Sequence, residues 1–198
     1  MPAGMTISRL CVYCGSAAGG RESYAGAARE LAGLLLQRNI ELVYGGANRG
    51  IMGILADAVL AGGGRVCGVI PKSLVQHEVA HTGLTELRLT DSMHERKAMM
   101  ANLADGFIAL PGGFGTLEEI IEILTWAQLQ HHEKPCGLLN VDGYFDALLT
   151  FIAHAGNEGF VRPQHRQMLL VAERPAELLQ RFESYVPPKV EKWRSQRP

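Results

Sequence analysis

Short apolar runs alternate with amphipathic segments along most of this chain. Mostly apolar runs of four to six residues are typical of strands buried on both faces, and we predict strands at residues 9–13, 40–44, 65–70, 86–89, 106–110, 136–140 and 168–171. Apolar residues at helical spacing predict helices at residues 24–38, 50–61, 92–103, 116–130, 144–155 and 175–185. The irregular stretch 72–85 is predicted to be a loop with some helix.

This alternation predicts the fold class. Strands that are apolar throughout need burial on both faces, and a mostly parallel sheet with helices on both sides provides it. We therefore predict a doubly wound, Rossmann-like α/β fold. We expect one domain at residues 1–185, followed by a basic C-terminal tail at 186–198.

Composition and charge narrow the function classes. The chain has 198 residues, 47% of them hydrophobic, and 19 basic against 20 acidic residues give a formal net charge of -1. A nucleic-acid partner is not expected, because such surfaces need a basic excess. No apolar run approaches the roughly 20 residues that span a bilayer, and the N-terminal segment lacks the apolar core of a signal peptide. We therefore expect a cytoplasmic protein that does not contact a membrane.

The cysteines indicate no disulfide. They mostly lie in apolar, strand-like runs, where a thiol acts as a small hydrophobe; the four are Cys11, Cys14, Cys67 and Cys136. Cys11 and Cys14 form a CxxC pattern, but their odd spacing along a strand places the two side chains on opposite faces of the sheet.

Three glycine-rich segments follow predicted strands and precede predicted helices: residues 14–20, 45–53 and 111–115. The backbone amides of such turns, with a helix N-terminus behind them, can hold a phosphate. The alternative is that the glycines allow close packing of helix on strand. No Walker loop and no GxGxxG occurs, so a mononucleotide or a sugar phosphate is favoured over a dinucleotide.

The segment PGGFGTLEE, residues 111–119, is the most informative of the three. Thr116 and Glu119 have the spacing of a capping box, which offers a purely structural role for Glu119. Glu118 and Glu119 would also repel a phosphate at this helix end, so a cation is expected nearby.

The helix predicted at 92–103 supplies that cation. Ser92 and Glu95 have the spacing of a second capping box. Arg96 and Lys97 follow Met93 by three and four residues, so both point along the apolar side of the helix. Charges seldom face inward unpaired, and we expect either an anionic ligand or the acids of the next helix as their partner.

The sequence HEVAH at residues 77–81 matches the zinc motif HExxH. The following Thr82 and Gly83 would end a helix directly after the second histidine, and Leu87 stands where a third zinc ligand would be. We therefore expect no metal site, and a zinc peptidase is the least favoured alternative.

The phase of the helix predicted at 116–130 indicates an assembly surface. We expect its core-facing residues to be Leu117, Ile120, Ile121, Leu124 and Ala127. Ile123, Trp126 and Leu129 then lie outward, which predicts a C2 dimer with Trp126 at or near the interface. The alternative is that the C-terminal segment, including Trp193, covers them.

Five motifs occur in order along the chain: Cys14-Gly15-Ser16, the Gly45-Gly46 to Gly50-Ile51-Met52-Gly53 loop, Val69-Ile70-Pro71, Met93-His94-Glu95-Arg96-Lys97 and PGGFGTLEE. Through these motifs the chain, from about Arg9 to Tyr185, resembles the LOG (lonely guy) family. Its members are cytokinin riboside 5'-monophosphate phosphoribohydrolases, often mislabelled lysine decarboxylases. The resemblance implies a homodimer that hydrolyses the N-glycosidic bond of AMP or an N6-substituted AMP, with no metal or redox cofactor.

The resemblance also implies residue roles. Arg96 and Glu119 match the family's catalytic positions, and Arg96 is expected to contact the substrate as well. Nucleotide-binding positions fall on Glu78, Lys97, Gly112, Gly113, Gly115, Thr116, Glu118 and Thr125. From the glycine-rich segments we also expect substrate contacts at Ser16, Gly45, Gly46, Phe114 and Leu117. In a dimer, Glu78 would reach the neighbouring site. Either Glu118 or Glu119 could do the chemistry.

Two other functions remain for comparison. A non-catalytic carrier of a nucleotide or of molybdenum cofactor would also use glycine-rich loops, but the adjacent Glu118 and Glu119 would weaken its anion binding. A pyridoxal decarboxylase needs a Schiff-base lysine, typically after Ser-x-His, and His132-Glu133-Lys134 does not provide that setting.

Overall fold

Residues 6–75 and 80–188 are described by the computed structural model, and they form seven strands and seven helices. The strands are β1 (Arg9–Tyr13), β2 (Glu41–Tyr44), β3 (Val66–Pro71), β4 (Glu86–Thr90), β5 (Gly106–Ala109), β6 (Cys136–Leu139) and β7 (Leu169–Ala172). The helices are α1 (Glu22–Gln37), α2 (Gly50–Ala61), α3 (Met93–Leu103), α4 (Phe114–Gln128), α5 (Asp146–Asn157), α6 (Pro163–Arg166) and α7 (Pro175–Glu183). Short 3-10 turns occupy Lys72–Leu74 and Val141–Gly143.

All seven strands form one parallel sheet in the order β4-β3-β2-β1-β5-β6-β7. The chain builds outward from β1 to β4, then returns to the other side of β1 and builds from β5 to β7. This reversal opens a crevice beyond the carboxyl ends of β1 and β5, where ligands bind in doubly wound sheets. The predicted fold class is confirmed.

Two hydrophobic layers cover the sheet. One joins it to α1, α2 and α7 through side chains such as Leu31, Leu55 and Phe182. The other joins it to α3 and α4 through Met100 and Ile120. Both faces of the sheet are therefore buried, which explains why its strands are apolar throughout.

The predicted elements are all present, with ends shifted by at most two residues. The short helix α6 and the turn Val141–Gly143 were not predicted from the periodicity. A segment of three or four residues is too short to show a helical repeat, so these two elements left no pattern in the sequence.

The predicted phase of α4 is wrong in part. Ile123, expected outward, is buried at 3% exposure, whereas Ile121, expected in the core, is 40% exposed. Trp126 is half-buried against the second hydrophobic layer, and Leu129 is exposed as expected. The run IIEIL is apolar around most of the helix, so its periodicity did not determine which side meets the sheet.

The four cysteines are free and buried. Cys14 belongs to the first hydrophobic layer and Cys11 to the second, so the CxxC pair is divided between opposite faces, as predicted. Across the ranges that the structure describes, no helix has the length and apolarity to span a membrane.

Candidate functional site

The three glycine-rich segments meet beyond β1 and β5. The Gly15 amide donates a hydrogen bond to the Pro111 carbonyl over 3.2 Å, and the Met52 amide donates to the Gly15 carbonyl over 3.3 Å. A Cβ on Gly112 would lie 2.8 Å from the Gly15 nitrogen and would overlap the Thr116 side chain. Close packing between the segments therefore accounts for Gly112, one of the two alternatives that the sequence left open.

A cavity of about 300 Å³ lies where these segments converge. Of the predicted site residues, it is lined by Ser16, Arg96, Gly113, Phe114, Gly115, Thr116, Glu118 and Glu119. Phe114 is 92% exposed at its rim. The methionines Met52 and Met93 also line the cavity. They were not predicted as site residues because their apolar side chains gave no chemical signal in the sequence.

The N-terminus of α4 opens into this cavity. The helix begins at Phe114 with Gly113 as N-cap, and no side chain of the described residues caps it. The predicted capping box from Thr116 to Glu119 is wrong, because Thr116 lies inside the first turn and is buried. The first-turn amides have no partner within the helix, and together with the helix dipole they form a site for an anion such as phosphate.

Helix α3 brings Arg96 to the cavity. Ser92 caps this helix by accepting the Glu95 amide over 3.1 Å, and the Glu95 carboxylate accepts the Asp91 amide over 2.8 Å. The Ser92 half of the predicted capping box is therefore present, but Glu95 bonds the amide of the residue before the cap and not that of Ser92. This cap holds the first turn of α3, on which Arg96 lies.

Arg96 is 6% exposed. Its Nη2 donates a hydrogen bond to the Gly45 carbonyl over 3.2 Å, and its Nη1 lies 3.5 Å from the Met93 sulfur. A Cβ on Gly45 would overlap the guanidinium, so the glycine makes room for it. The Arg96 Nε is buried and has no hydrogen-bond partner among the described residues. The Arg96 side chain lines the cavity with a planar guanidinium group that carries five N–H donors.

Lys97 points from α3 to the acids of α4. Its Nζ lies 2.5 Å from a Glu118 oxygen and 3.0 Å from a Glu122 oxygen. Burial opposes the charged form of Lys97, but the hydrogen bonds to Glu118 and Glu122 outweigh it and raise the pKa of the ammonium group. The sequence allowed either an anionic ligand or the acids of the next helix as the partner of Lys97, and in the structure its partners are the acids Glu118 and Glu122.

Glu119 follows Glu118 directly on α4 and is half-buried in the cavity wall. Burial raises the pKa of the Cys14 thiol well above its usual range, and the negative charge of Glu119 raises it further. Burial also raises the pKa values of Cys11 and Tyr13, and the negative charge of Glu119 raises both further. The positive charge of Arg96 lowers the pKa of Cys11. Glu119 and Arg96 line the same cavity as Cys14, the residue that follows β1, so both charged groups lie near the carboxyl end of that strand.

Among the described residues, the remaining predicted positions do not line this cavity. Gly46 accepts the His81 amide over 2.9 Å. Leu117 packs against the second hydrophobic layer. The Thr125 hydroxyl donates to the Ile121 carbonyl over 2.7 Å. Glu78 and the first histidine of the HExxH match lie outside the described residues, and the second, His81, has its Nε2 2.8 Å from Asp57.

Comparison with known proteins places the chain among close relatives. A family model described as a possible lysine decarboxylase matches residues 52–182. The probable cytokinin riboside 5'-monophosphate phosphoribohydrolase LOGL5 of Oryza sativa subsp. japonica is 52% identical over 180 residues, covering 91% of this chain and 73% of that protein. The cytokinin riboside 5'-monophosphate phosphoribohydrolase LOG1 of Arabidopsis thaliana is 51% identical over 181 residues, covering 91% and 85%. The rice enzyme LOG is 54% identical over 179 residues, covering 90% and 74%.

Solved structures with the same fold are more distant in sequence. The molybdenum cofactor binding protein of Rippkaea orientalis has a TM-score of 0.67 at 22% identity, covering 91% of this chain and 98% of that one. The molybdenum cofactor carrier protein of Chlamydomonas reinhardtii has a TM-score of 0.66 at 19% identity, covering 88% and 99%. At these identities the likeness extends to the fold alone.

Proposed function

Because the chain belongs to the LOG family of cytokinin riboside 5'-monophosphate phosphoribohydrolases, we propose that it hydrolyses the N-glycosidic bond of AMP or of an N6-substituted riboside 5'-monophosphate. The products are the free base and ribose 5-phosphate. The observation that carries this proposal is the cavity in which Arg96 and Glu119 lie beside the open N-terminus of α4.

The reaction requires a carboxylate near C1' of the ribose. Breaking the bond from C1' to the base nitrogen builds positive charge on the sugar ring, which a carboxylate stabilises. Glu119 is the better placed of the two adjacent acids, since Glu118 is 56% exposed and bound by Lys97. Glu119 takes a proton from the attacking water while the water oxygen bonds to C1'. The base leaves with the electron pair of the broken bond and takes up one proton, either the proton held by Glu119 or one from solvent water, so that the reaction adds one water molecule across the bond.

The other site residues hold the substrate for this step. The first-turn amides of α4 bind the 5'-phosphate, with Gly113, Phe114 and Gly115 at the cavity wall. The guanidinium of Arg96, fixed by the Gly45 carbonyl, orients the reacting carboxylate and neutralises charge in the closed part of the cavity.

Lysine decarboxylation finds no support at this site. Lys134 precedes β6 at the opposite end of the sheet, where its Nζ donates to the Ala101 carbonyl over 2.8 Å. Lys97 is near the cavity, but its raised pKa holds it in the protonated form. Schiff-base formation needs a neutral amine, which the ion pairs of Lys97 with Glu118 and Glu122 oppose. Lys134 lies away from the cavity, so neither lysine is suited to hold pyridoxal phosphate.

An assay for base release tests the proposed function. Purified protein is incubated with AMP, with N6-isopentenyl AMP and with the matching nucleosides, and free base is measured by chromatography. We expect release from at least one nucleotide and much slower release from its nucleoside, because the nucleoside lacks the phosphate. Tight nucleotide binding without any base release would instead favour the carrier function.

Lys97 offers a more specific prediction. Lys97→Ala leaves Glu118 and Glu122 without their cation beside the proposed phosphate site, and like charges repel. We expect the KM for the nucleotide to rise about tenfold, the size of a 1.4 kcal/mol loss, with kcat little changed. Steady-state kinetics with AMP and adenosine measure this effect.

The double variant Lys97→Ala with Glu118→Gln is the control for that prediction. Removing one of the two carboxylates should return the KM partly towards the wild-type value if repulsion is the cause. An equal rise in KM for AMP and adenosine would contradict a phosphate-directed effect.

We also propose that the protein is a homodimer packed along α4. Ile121, Thr125 and Leu129 follow one another at four-residue spacing and form one exposed stripe, with Ile121 40% and Leu129 53% exposed. A two-fold axis across this stripe would pair its apolar side chains with their copies. The stripe replaces the surface expected around Trp126, which is packed against the protein's own core.

Leu129→Glu tests the dimer without disturbing the core. A carboxylate on the exposed stripe should separate the subunits, because each copy would bring its charge to the same apolar contact. Light scattering should then report a monomer for Leu129→Glu and a dimer for the control Val186→Glu, which alters an exposed apolar residue near the C-terminus. A monomeric wild-type protein, or an unchanged dimer in Leu129→Glu, would refute this assembly.

A further inference from the structure

Two tyrosines outside the cavity connect two of the glycine-rich segments. The Tyr144 hydroxyl donates a hydrogen bond to the Gly112 carbonyl over 2.6 Å. The ring of Tyr144 meets that of Tyr24 edge to face, with centroids 5.5 Å apart. Gly19, at φ +76°, lies against Tyr24 so closely that a Cβ would come within 2.7 Å of its ring. The pair thus spans from segment 14–20 to segment 111–115.

The residues next to Tyr144 in the chain hold it in place. The amide of the next residue, Phe145, donates to the Asn140 side-chain oxygen over 2.7 Å, and the Asn140 side-chain nitrogen donates to Asp146 over 2.8 Å. The Phe145 ring itself is buried and packs edge to face against Tyr144 at 4.9 Å. The hydroxyl therefore has a position set by the loop after β6, independently of the segment that it contacts.

The Gly112 carbonyl matters because of the peptide that it begins. A planar trans peptide directs its carbonyl and its N–H to opposite sides, so holding the Gly112 oxygen also fixes the direction of the Gly113 N–H. Gly113 is the N-cap of α4 and lines the cavity. A Cβ on Gly113 would find no atom within 4 Å, so its neighbours do not restrict it by packing.

Three consecutive carbonyls anchor this segment. Pro111 accepts from the Gly15 amide over 3.2 Å, and Gly113 accepts from the Leu117 amide over 3.2 Å. Tyr144 holds the Gly112 carbonyl between them with a side-chain hydrogen bond. Glycine has wide backbone freedom, so the adjacent Gly112 and Gly113 need an external restraint to keep their amides aligned.

We propose that Tyr144 is a positioning residue for the 5'-phosphate, acting through the Gly112 carbonyl to aim the amides at the start of α4; this inference rests on the proposed function. Its loss weakens phosphate binding in the ground state and the transition state alike, so it raises KM and leaves kcat nearly unchanged. Tyr144 itself does not touch the reacting atoms.

Tyr144→Phe removes the hydroxyl and keeps the ring. Its matched control is Tyr24→Phe, since the Tyr24 hydroxyl makes no hydrogen bond with the described residues. Isothermal titration with ribose 5-phosphate measures phosphate binding without turnover, and steady-state kinetics with the nucleotide separate KM from kcat. For Tyr144→Phe we expect Kd and KM to rise about 3- to 10-fold, as for the loss of one hydrogen bond, with kcat within about twofold of wild type. Tyr24→Phe should match the wild type in Kd, KM and kcat, and both variants should still unfold in one cooperative transition.

An unchanged Kd for ribose 5-phosphate in Tyr144→Phe would overturn the positioning role, even if the wild type releases base as proposed. A fall in kcat at unchanged KM would overturn it too, because the hydroxyl would then act on the chemical step. No binding of ribose 5-phosphate to the wild type would also overturn it, since there would be no phosphate site to position. If the wild type binds ribose 5-phosphate but releases no base, the proposed hydrolase function is wrong. A raised Kd in Tyr144→Phe would then still support the positioning role of Tyr144.

Discussion

Glu119→Gln is expected to lower kcat by about 10²- to 10⁴-fold, the usual contribution of general acid–base catalysis. The amide keeps the size of the side chain but can neither carry the negative charge that stabilises the sugar cation nor accept a proton from water. The fold should persist, because Glu119 lies beyond the first turn of α4 and does not cap it. Base release and thermal melting of the purified variant measure the two effects separately.

Glu118→Gln is the matched control for this prediction. Glu118 is adjacent on the same helix and lines the same cavity, but its carboxylate is bound by Lys97 and more than half exposed. We expect its kcat to stay within about tenfold of wild type, as for a group outside the proton transfer. A larger loss in Glu118→Gln than in Glu119→Gln would exchange the roles of the two acids.

Arg96→Ala is expected to lower kcat by about 10²- to 10³-fold, as when one preorganised hydrogen-bond donor is removed from an active site. Its guanidinium is held by the Gly45 carbonyl inside the cavity wall, so its charge is positioned before substrate arrives. Arg96→Lys keeps the charge but loses the planar set of donors, and we expect it to remain well below the wild type.

Arg88→Ala is a suitable control for Arg96→Ala. Arg88 lies on β4 and pairs with Glu86 over 2.8 Å, away from the cavity lining. Its removal should leave base release near the wild-type rate. If Arg96→Ala folds with the melting temperature of the wild type and keeps kcat within about fivefold, the proposed catalytic role of Arg96 is wrong.

Residues 111–119 form the most informative segment of the sequence. Gly113, Gly115, Glu118 and Glu119 of this segment line the cavity, in keeping with the position of ligand sites beyond the carboxyl ends of strands in doubly wound sheets. The details of α4 were wrong: the helix begins two residues earlier than predicted, so Thr116 does not cap it, and Ile123 rather than Ile121 faces the sheet. Local spacing permits a capping box without requiring one.

The partner of Lys97 could not be determined from helical phase. Helical phase indicated that Lys97 pointed inward and needed a negative charge, and it could not distinguish a ligand from the acids of α4. The structure brings Glu118 and Glu122 to the ammonium group across two packed helices. That choice depends on how α3 and α4 lie against the same face of the sheet, which no local pattern encodes.

The sequence by itself determined the α/β class, the order of the strands and helices, and the three glycine-rich segments that converge at one edge of the sheet. These properties depend on periodicity and turn chemistry, which act over a few residues. Only the tertiary structure decided which side of α4 is buried, that Glu118 and Glu122 are the partners of Lys97, and that Tyr144 reaches Gly112 from 32 residues away along the chain. Each of these depends on elements that are distant in sequence and are brought together only by packing on the sheet.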